Sequence, residues 1–402
     1  MEGERRVSMR IRPTDEPRQR PRIAVVTTVH RWGDPRIIER EVAAYLEWDC
    51  EVHVFIPVDR DEVASVGDDH RGLGCLRVHA LPKPRGRLQR LALSLRVASP
   101  VWKERPFEVV HFHDPELIPA VAWLSLWWRR TYFLYDVHED LPLEVLSKPY
   151  LPAPLRPLVS LLMVGLWRVA RALFDGFAPA TEAIARRWPP ERTRVLHNYP
   201  KSLFEAPAGE PLALDPNRLL FVGGLTEVRG IRGMLDAVRR VRERRPALRL
   251  DLVGPVNDAS LELAVGAAVA EGWCRHTTWL PPERLAVFCR GAAVGLVPYL
   301  PVPDHLEALP TKLFEYMAMG VPILASDFPL WRALVERSGS GRVAEPTVAG
   351  LAAALEAMLA DPAQLARHGE RGRAAYRGGY RWETEREHLR WHLERALGER
   401  AG

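Results

Sequence analysis

The sequence has few cysteines, and their spacing matches neither of the patterns that cysteines form most often. There are four in 402 residues, and no two are close enough for a CxxC motif or a zinc-binding set. A disulfide-stabilised secreted domain is therefore not expected. Free thiols in a reducing compartment are the expected state, which favours a cytoplasmic protein. The cysteines are Cys50, Cys75, Cys274 and Cys289.

Long apolar runs are also missing. The longest, Leu117–Trp128 and Pro157–Trp167, are well short of the ~20 residues that a membrane-spanning helix needs, so we expect no such helix. Residues 1–20 are charged and proline-rich without an apolar stretch, which is unlike a signal peptide. We expect them to be a disordered leader.

No strong excess of one charge sign is present. The net charge is +5 and the pI about 9.1, and arginines are spread along the whole chain. Such a spread does not favour nucleic acid as a partner. A mildly basic protein suits anionic small ligands or an anionic membrane surface.

What the chain does have is a repeated alternation of short apolar strands with helical patterns. Continuous apolar strands between helices predict an α/β fold with parallel, doubly wound sheets. The pattern breaks near Asn198-Tyr-Pro200, passes through a Pro/Ala-rich linker at 201–216, and restarts at Arg218. We therefore predict two Rossmann-like domains facing a cleft, at 21–200 and 201–380, and a charged C-terminal helix within 381–402.

One segment of the second domain predicts an anion site. Pro310 suits the first turn of a helix, and Lys312 in that turn opposes the helix dipole. A cation placed there indicates that an anion such as a diphosphate sits between the lysine and the helix N-terminus. Glu315 lies one turn further on, free to accept hydrogen bonds from hydroxyls. The alternative is an ordinary amphipathic helix with a solvated lysine.

A glycine-rich turn, Gly223–Gly230, joins the first strand of the same domain to a helix. The paired glycines Gly223 and Gly224 permit close approach of a ligand to the backbone, and Arg229 can meet a phosphate with two hydrogen bonds. The turn is neither GxGxxG nor a P-loop. A plain turn with a solvated arginine is the alternative.

The first domain places polar clusters after three of its predicted strands. They are His30–Arg36, His111–Glu116 and Tyr135–Asp140. Ligands of doubly wound domains bind at the carboxyl ends of the strands, so the three clusters should converge on one cleft. A single cluster of this kind is more often a surface loop.

Two sets of residues resemble metal sites without strong support. Asp59-Arg-Asp61 has a DxD form that is common by chance. His111, His113, Asp114 and His138 offer ligand atoms, but neighbours on a strand point to opposite faces and nothing fixes His138 beside the others. We expect no bound metal.

Taken in order, these pieces resemble the GT-B glycosyltransferases of family 4, which are described as retaining and metal-independent. The resemblance covers roughly Arg22 to Leu397, and its most specific piece is Leu309–Met317. The other pieces are Asp34-Pro-Arg36 with Glu41, His113–Glu116, Tyr135–Glu139, Asn198-Tyr-Pro200 and Gly224–Gly230.

The resemblance implies roles for the donor-side residues. Glu315 would hold the ribose of a nucleotide-sugar, and Glu307 would lie near the hydroxyls of the donor sugar as a catalytic residue. Arg229 would meet the diphosphate with help from Lys312. The donor-binding set as a whole is Gly223, Gly224, Arg229, Pro310, Thr311, Lys312 and Glu315.

It also implies roles across the cleft. His138 would lie beside the reacting centre as a second catalytic residue. Asp34, Arg36, His113 and Glu116 would line the acceptor side. The C-terminal helix would cross back to the first domain.

The chain departs from the family pattern at two places. Gly224 stands where many members have arginine, so one phosphate contact is absent or comes from elsewhere. Ala308-Leu309 stands where many have Phe-Gly, which makes the role of Glu307 less certain than that of Glu315.

The implied activity is sugar transfer from a nucleotide-diphosphate donor to a glycan, lipid-linked or small-molecule acceptor, without a cofactor. A nucleotide-sugar epimerase or hydrolase of the same fold is the alternative. Three segments that mix arginine with leucine and tryptophan predict a peripheral contact at the inner face of the membrane. They are Pro84–Arg96, Leu124–Arg130 and Leu155–Arg171.

Overall fold

The structure is a computed structural model that describes residues 20–59, 75–147, 151–205, 212–256, 258–306 and 308–398. In this part of the chain, two six-stranded parallel sheets are flanked by helices, which confirms the predicted fold class. The predicted leader at 1–20 lies outside the described residues except for Arg20.

The first sheet has the strand order β3-β2-β1-β4-β5-β6. Its strands are β1 Arg22–Val26, β2 Glu51–Pro57, β3 Leu76–Leu81, β4 Val109–Phe112, β5 Tyr132–Val137 and β6 Gly176–Pro179. Helices of this half are α1 Ala43–Glu47, α2 Arg87–Arg96, α3 Ala98–Lys103, α4 Ile118–Trp127, α5 Leu141–Ser147, α6 Arg156–Leu173 and α7 Glu182–Ala185. The order reverses between β1 and β4, so the crevice for a ligand opens at the carboxyl ends of these two strands.

The second sheet repeats this topology with the order β12-β11-β10-β7-β8-β9. Its strands are β7 Asp215–Val222, β8 Arg249–Val253, β9 Cys274–Thr277, β10 Ala292–Val297, β11 Ile323–Ser326 and β12 Gly341–Ala344. Its helices are α8 Ile231–Arg242, α9 Ala259–Ala270, α10 Pro282–Cys289, α11 Pro303–Leu306, α12 Thr311–Met319, α13 Pro329–Ser338, α14 Val348–Leu359 and α15 Pro362–Gly379. Here the order reverses between β7 and β10.

Several local predictions differ from the structure. The sequence pattern predicts one helix from 35 to 47, but the structure begins with a π-helical turn, Ile37–Val42, before α1. The sequence pattern also predicts a strand at 277–280, but the strand occupies 274–277, where Cys274 is buried, whereas Trp279 is 70% exposed. Strand β12 was not predicted, since it has no apolar run.

The last helix, α16 Trp382–Gly398, packs on the first domain although it follows the second. Leu389, Leu393 and Ala396 join the apolar core on one face of the first sheet. The hydroxyl of Tyr132 lies 2.9 Å from Nδ1 of His392, in the space that a side chain at Gly176 would occupy. The N-terminal core is therefore completed by the C-terminal end of the described chain.

One stretch, Ala153–Leu173, is long and apolar enough to cross a membrane by length and composition alone. The helix is longer than the apolar run Pro157–Trp167 because it continues past that run at both ends, and the expectation that no helix spans a membrane stays a prediction. In the structure it lies on the surface of the first domain, with Trp167 and Ala170 in the core and 11% of the apolar window buried.

An ion-pair network fixes α16 near the junction of the domains. His197 Nδ1 lies 2.9 Å from Glu385 Oε2, and His197 Nε2 lies 3.1 Å from Glu182 Oε1. Burial opposes the charge on His197, but the hydrogen bonds from Glu182 and Glu385 raise its pKa to about 9. Burial likewise opposes the charge on Glu385, yet the bonds from His197 and His388 lower its pKa to about 2.

These pKa values predict how stability depends on pH. A histidine whose folded pKa exceeds its unfolded value of 6.5 stabilises the fold fully below pH 6.5, and this stabilisation is lost as the pH rises through about 9. We therefore expect His197→Gln to lower the free energy of unfolding at pH 6 by on the order of 2–3 kcal/mol. At pH 10 the difference should be much smaller.

Urea denaturation of both proteins at the two pH values measures this difference. His368→Gln is a control, because burial lowers the pKa of His368 and no loss above pH 6.5 should follow from it. An equal effect of His197→Gln at both pH values would contradict the assignment.

Candidate active site

The second domain presents a small cavity of about 240 Å³ at the start of α12. Arg229, Tyr299, Pro310, Thr311 and Lys312 are among the residues that line it. The predicted position of Pro310 is one residue off: it is the extended residue that caps α12, and Thr311 begins the helix. The first N–H groups of a helix have no intrahelical acceptor, so those of Thr311 and Lys312 are available to an anion.

The turn after β7 forms another wall of this site. Gly223 has φ +132°, and a Cβ there would lie 3.1 Å from Arg229 Nη1 and 3.7 Å from Lys312 Cε. Arg229 donates to the carbonyl of Gly224 at 3.0 Å and stacks on the ring of Tyr299, which follows β10. The glycine turn and α12 therefore bring two cations together where the order of the second sheet reverses.

The carboxylate of Glu315 is not free, contrary to the prediction. Lys312 Nζ donates to Glu315 Oε2 at 2.8 Å, and the carboxylate is largely buried. Arg40 of the first domain lies close enough to interact with it electrostatically. The predicted catalytic residue Glu307 lies outside the described residues.

A buried ion pair organises the first domain's side of the cleft. Arg36 donates to both oxygens of Asp136, at 2.8 and 2.6 Å, and to the carbonyl of Leu196 at 2.8 Å. Burial opposes the charge on Asp136, but Arg36 and then His138 and His113 hold its pKa well below its usual range. Arg36 is thus a buried partner of Asp136 and lies beneath the cleft surface.

Asp136 also holds two histidines. His113 Nδ1 lies 3.0 Å from Asp136 Oδ2, and His138 Nε2 lies 3.0 Å from the same oxygen. His113 is fully buried, whereas the side chain of His138 is 26% exposed. Of these two histidines, His138 is therefore the one that reaches solvent, whereas His113 lies in the protein interior.

Next to His138 lies His30, which belongs to a predicted strand-end cluster but received no role in the predictions. The ring centroids of His30 and His138 are 5.3 Å apart. His30 Nδ1 lies 3.0 Å from Asp34 Oδ2, and its Nε2 lies 3.6 Å from Asp114 Oδ1. Burial lowers the pKa of His30, but Asp34 and the charge of Asp114 outweigh it, so the pKa is raised above 6.5.

Asp114 is the second residue that the predictions passed over as a site residue. Its Oδ2 accepts from the hydroxyl of Thr27 at 2.8 Å and from the amide of Val29 at 3.2 Å, which locks the loop after β1 to the loop after β4. Their positions in the sequence could have identified both residues, because His30 follows β1 and Asp114 follows β4, the two strands between which the sheet order reverses.

Glu116 and a basic cavity lie on the other side of His30. Glu116 accepts from Arg90 at 2.7 Å, and burial raises its pKa above the usual value. The cavity measures about 660 Å³ and includes His30, Arg31, Lys83, Arg85, Arg87 and Arg90 in its lining. The cavity beside His30 is therefore strongly basic.

One buried group could hold a metal by composition. It consists of Glu41, His111, His113 and Asp136, whose ligand atoms lie within 4.8 Å of one another. It shares only the two strand histidines with the set considered from sequence. Within the described part of the chain, no hydrogen bond reaches Nε2 of either histidine.

One cation already lies within this group. Arg36 Nε lies 3.2 Å from Glu41 Oε1. Burial, followed by the nearby charge of Asp136, raises the pKa of Glu41 well above its usual value. In the DxD form considered from sequence, Asp59 pairs with Lys83 at 2.6 Å and Asp61 lies outside the described residues.

Part of the second domain is similar in sequence to known glycosyltransferases. Residues 216–361 match the family described as Glycosyl transferases group 1. Glycogen synthase of Mycobacterium tuberculosis is 28% identical over 177 residues, covering 42% of this chain and 40% of the relative. The amylovoran biosynthesis glycosyltransferase AmsK of Erwinia amylovora is 29% identical over 36% of this chain and 35% of its own. The chain thus spans 40% or less of the length of these curated relatives.

Solved structures match over nearly the whole chain. Sucrose-phosphate synthase of Thermosynechococcus elongatus superposes with a TM-score of 0.66 at 19% identity, covering 95% of this chain and all of that one. HepE of Anabaena, in complex with UDP-glucose, gives 0.67 at 14% identity over 93% and 99%. The predicted GT-B fold is confirmed by these structures. The family match of residues 216–361 agrees with the predicted resemblance to glycosyltransferases.

The contact between Asp34 and His30 gives a testable prediction. Asp34→Asn removes the charged acceptor of the His30 ring, so we expect the pKa of His30 to fall towards or below 6.5. A pH titration of the labelled histidine ring signals by NMR measures it. Glu39→Gln, in the same segment, is the matched control and should leave His30 unchanged. An unaltered His30 titration in Asp34→Asn would refute the coupling.

Proposed function

We propose that this GT-B fold protein transfers a sugar from a nucleotide-diphosphate donor to an acceptor hydroxyl, with retention at the anomeric carbon and without a metal. The observation that carries the proposal is the cavity at the N-terminus of α12. There Arg229, Lys312 and free helix N–H groups meet beside a glycine turn. A diphosphate is the ligand whose charge and size such an arrangement suits.

The donor side supplies what a departing nucleotide diphosphate needs. Fixed cations and dipoles stabilise the negative charge that develops on the leaving group, and they need no reorganisation during the reaction. Lys312 Nζ lies 2.8 Å from Glu315 Oε2. We expect a bound diphosphate to compete for Lys312, which would release the Glu315 carboxylate to accept hydrogen bonds from the ribose.

The first domain supplies a polar group at the sugar. His138 is partly exposed and its ring is oriented by the buried Asp136 carboxylate. Two hydrogen bonds from Arg36 fix Asp136 in turn, so the orientation of the imidazole is well defined. The role proposed for His138 is to contact the donor sugar beside the reacting carbon. The acceptor-side residues Asp34 and Glu116 would act through His30 and the basic cavity.

The same charges support the metal-free part of the proposal. Two cations at the diphosphate replace the metal ion that other transferases use, and the group around Glu41 already contains Arg36. The acceptor is proposed to be a glycan, lipid-linked or small molecule, and the protein to be cytoplasmic. The biosynthetic role named for AmsK supports a place in polysaccharide biosynthesis.

Nucleotide binding tests the donor site directly. Arg229→Ala removes a charged hydrogen-bond donor from the cavity, and such bonds contribute roughly 1.5–3 kcal/mol. We therefore expect affinity for UDP or GDP, whichever binds, to fall by about 10- to 100-fold. Isothermal titration calorimetry measures the change.

Arg232→Ala is the matched control in this experiment. Arg232 lies three residues away, is exposed, and pairs with Glu227 outside the cavity. Its replacement should leave nucleotide affinity unchanged. Equal effects of the two variants would mean that Arg229 acts only through general charge.

The reaction itself is tested with labelled UDP-, GDP- and dTDP-sugars and a panel of acceptors. We expect transfer that survives EDTA, and a product whose anomeric configuration, read by NMR, matches the donor. Complete loss of activity on chelation would overturn the metal-free proposal. Rapid turnover of a nucleotide-sugar without any acceptor would favour the epimerase or hydrolase alternative.

His138→Ala separates the two halves of the site. A group that acts at the reacting centre affects turnover more than donor binding, so we expect kcat to fall by about 100-fold or more with nucleotide affinity retained. Stopped assays at saturating donor, together with calorimetry, check this. A change in donor affinity alone would place His138 in binding.

A further inference from the structure

One face of the first domain exposes leucines and buries a serine, the reverse of the usual distribution of apolar and polar side chains. Helix α2 buries Ser94, whose hydroxyl bonds to the Arg90 carbonyl at 2.9 Å, whereas Leu88, Leu91 and Leu95 point to solvent. Leu88 is 85% exposed. These leucines are three and seven residues apart, so they form one stripe along the helix. A soluble surface rarely collects apolar residues on one helix while burying its serine.

The neighbouring helices continue this apolar face. Helices α2 and α4 are in contact, and α4 packs in turn against α6. Their cores point to the same side of the first sheet. The exposed apolar residues are Leu88, Leu91 and Leu95 of α2, Trp123, Leu126 and Trp127 of α4, and Leu155, Leu158, Leu161 and Leu162 in and just before α6. We call this set the apolar face.

The three segments that carry the apolar face contain charges of one sign. Residues 82–103 contain six basic and no acidic side chains, residues 117–131 two basic and no acidic, and residues 151–174 three basic and no acidic. The whole chain has a net charge of only +5, so these segments are more basic than the chain as a whole. An apolar surface bordered by arginine and lysine complements an anionic lipid leaflet, in which acyl chains lie beneath phosphate groups.

The face is also connected to the candidate active site. Helix α2 lines the basic cavity beside His30 with Arg87 and Arg90, and carries the exposed leucines on its outer side. An apolar cavity of about 870 Å³ lies at α2, α3 and α4, with Leu95, Trp102 and Trp123 in its lining. A lipid held at this face would therefore have its headgroup close to the acceptor side.

We propose that the apolar face docks the protein onto an anionic membrane, and that it presents a lipid-linked, anionic acceptor to the cavity beside His30. The first part stands without any assumption about activity, and the second rests on the proposed sugar transfer. Docking is peripheral, because α6 packs Trp167 and Ala170 into the core of the domain and lies along its surface.

Vesicle flotation tests the docking. Full-length protein is mixed with vesicles of phosphatidylcholine alone, or with added phosphatidylglycerol. We expect flotation with the anionic vesicles only, weakened by high salt because the arginines are exposed. Flotation with neither vesicle, or equal flotation with both, would overturn the proposal.

Substitutions locate the surface. The triple variant Leu158→Ser, Leu161→Ser, Leu162→Ser removes three side chains that are 60–65% exposed, so folding should be preserved. We expect the affinity for anionic vesicles to fall by roughly tenfold or more. Arg85→Glu with Arg96→Glu should weaken binding to anionic vesicles in the same way. Leu263→Ser, at a leucine 79% exposed on α9 of the second domain, is the matched control and should bind as wild type.

Other occupants of the face give different results. If the face pairs two copies of the chain, light scattering will show a dimer that the triple variant dissociates, with no flotation, and the proposal fails. If α6 spans the bilayer, the protein will stay with vesicles after alkaline carbonate extraction, and peripheral docking fails. If nucleotide affinity is retained in the triple variant while flotation is lost, docking is separable from the proposed activity, and this is the expected outcome.

The acceptor part has its own readout. Transfer to a lipid-linked phosphate acceptor in vesicles should fall in the triple variant, while transfer to a short water-soluble analogue of that acceptor should not. Equal loss with both acceptors would show that the face supports the fold rather than acceptor delivery.

Discussion

The carboxylate of Asp136 is the point on which the first domain's half of the site depends. It accepts two hydrogen bonds from Arg36 and lies 3.0 Å from both His113 and His138. Arg36 comes from the loop after β1 and also binds the carbonyl of Leu196 at the junction with the second domain. Three strand ends and the junction are thus tied to one buried carboxylate. Removing one partner of such a pair typically costs about 3–5 kcal/mol, because the other charge is left buried.

The two halves of the cleft use charge differently. In the first domain the charges are paired and buried, so the geometry of His138 exists before any ligand arrives. In the second, Arg229 and Lys312 line an open cavity, and Lys312 is held by Glu315. A cation that is paired with a nearby side chain can exchange that partner for a ligand at small cost, whereas a cation without a partner would destabilise the protein before a ligand binds. The first domain therefore holds His138 in a fixed orientation, whereas in the second domain Lys312 can exchange Glu315 for a ligand.

The sequence was sufficient for the features that depend on local pattern and insufficient for those that depend on distant partners. Alternating strands and helices predicted both sheets, and the strand-end position of His138 and the Pro-Thr-Lys turn at 310–312 predicted where the cleft and the cavity would be. Burial of Arg36 was not predictable, because its partner Asp136 is 100 residues away. The pairing of Glu315 with Lys312 was accessible from their spacing, but the choice between that pair and a free carboxylate needs side-chain geometry. His30 and Asp114 were predicted to lie at the cleft with their clusters, but their contact with each other depends on side-chain geometry that the sequence does not give.

The path of the chain constrains how the two halves can meet. The chain passes between the domains near residue 200 and returns before α16, which completes the first domain's core. These two crossings are bonded to each other, since the carbonyl of Pro200 accepts from the amide of Trp382 and from the hydroxyl of Tyr376, both at 3.1 Å. Two adjacent, hydrogen-bonded crossings restrict relative motion to rotation about one line, whereas a single linker would permit many directions. Arg40 of the first domain also interacts electrostatically with Glu315 of the second. Motion about this hinge would therefore change the separation between the oriented histidines and the exchangeable cations, which is the distance that a donor sugar has to bridge.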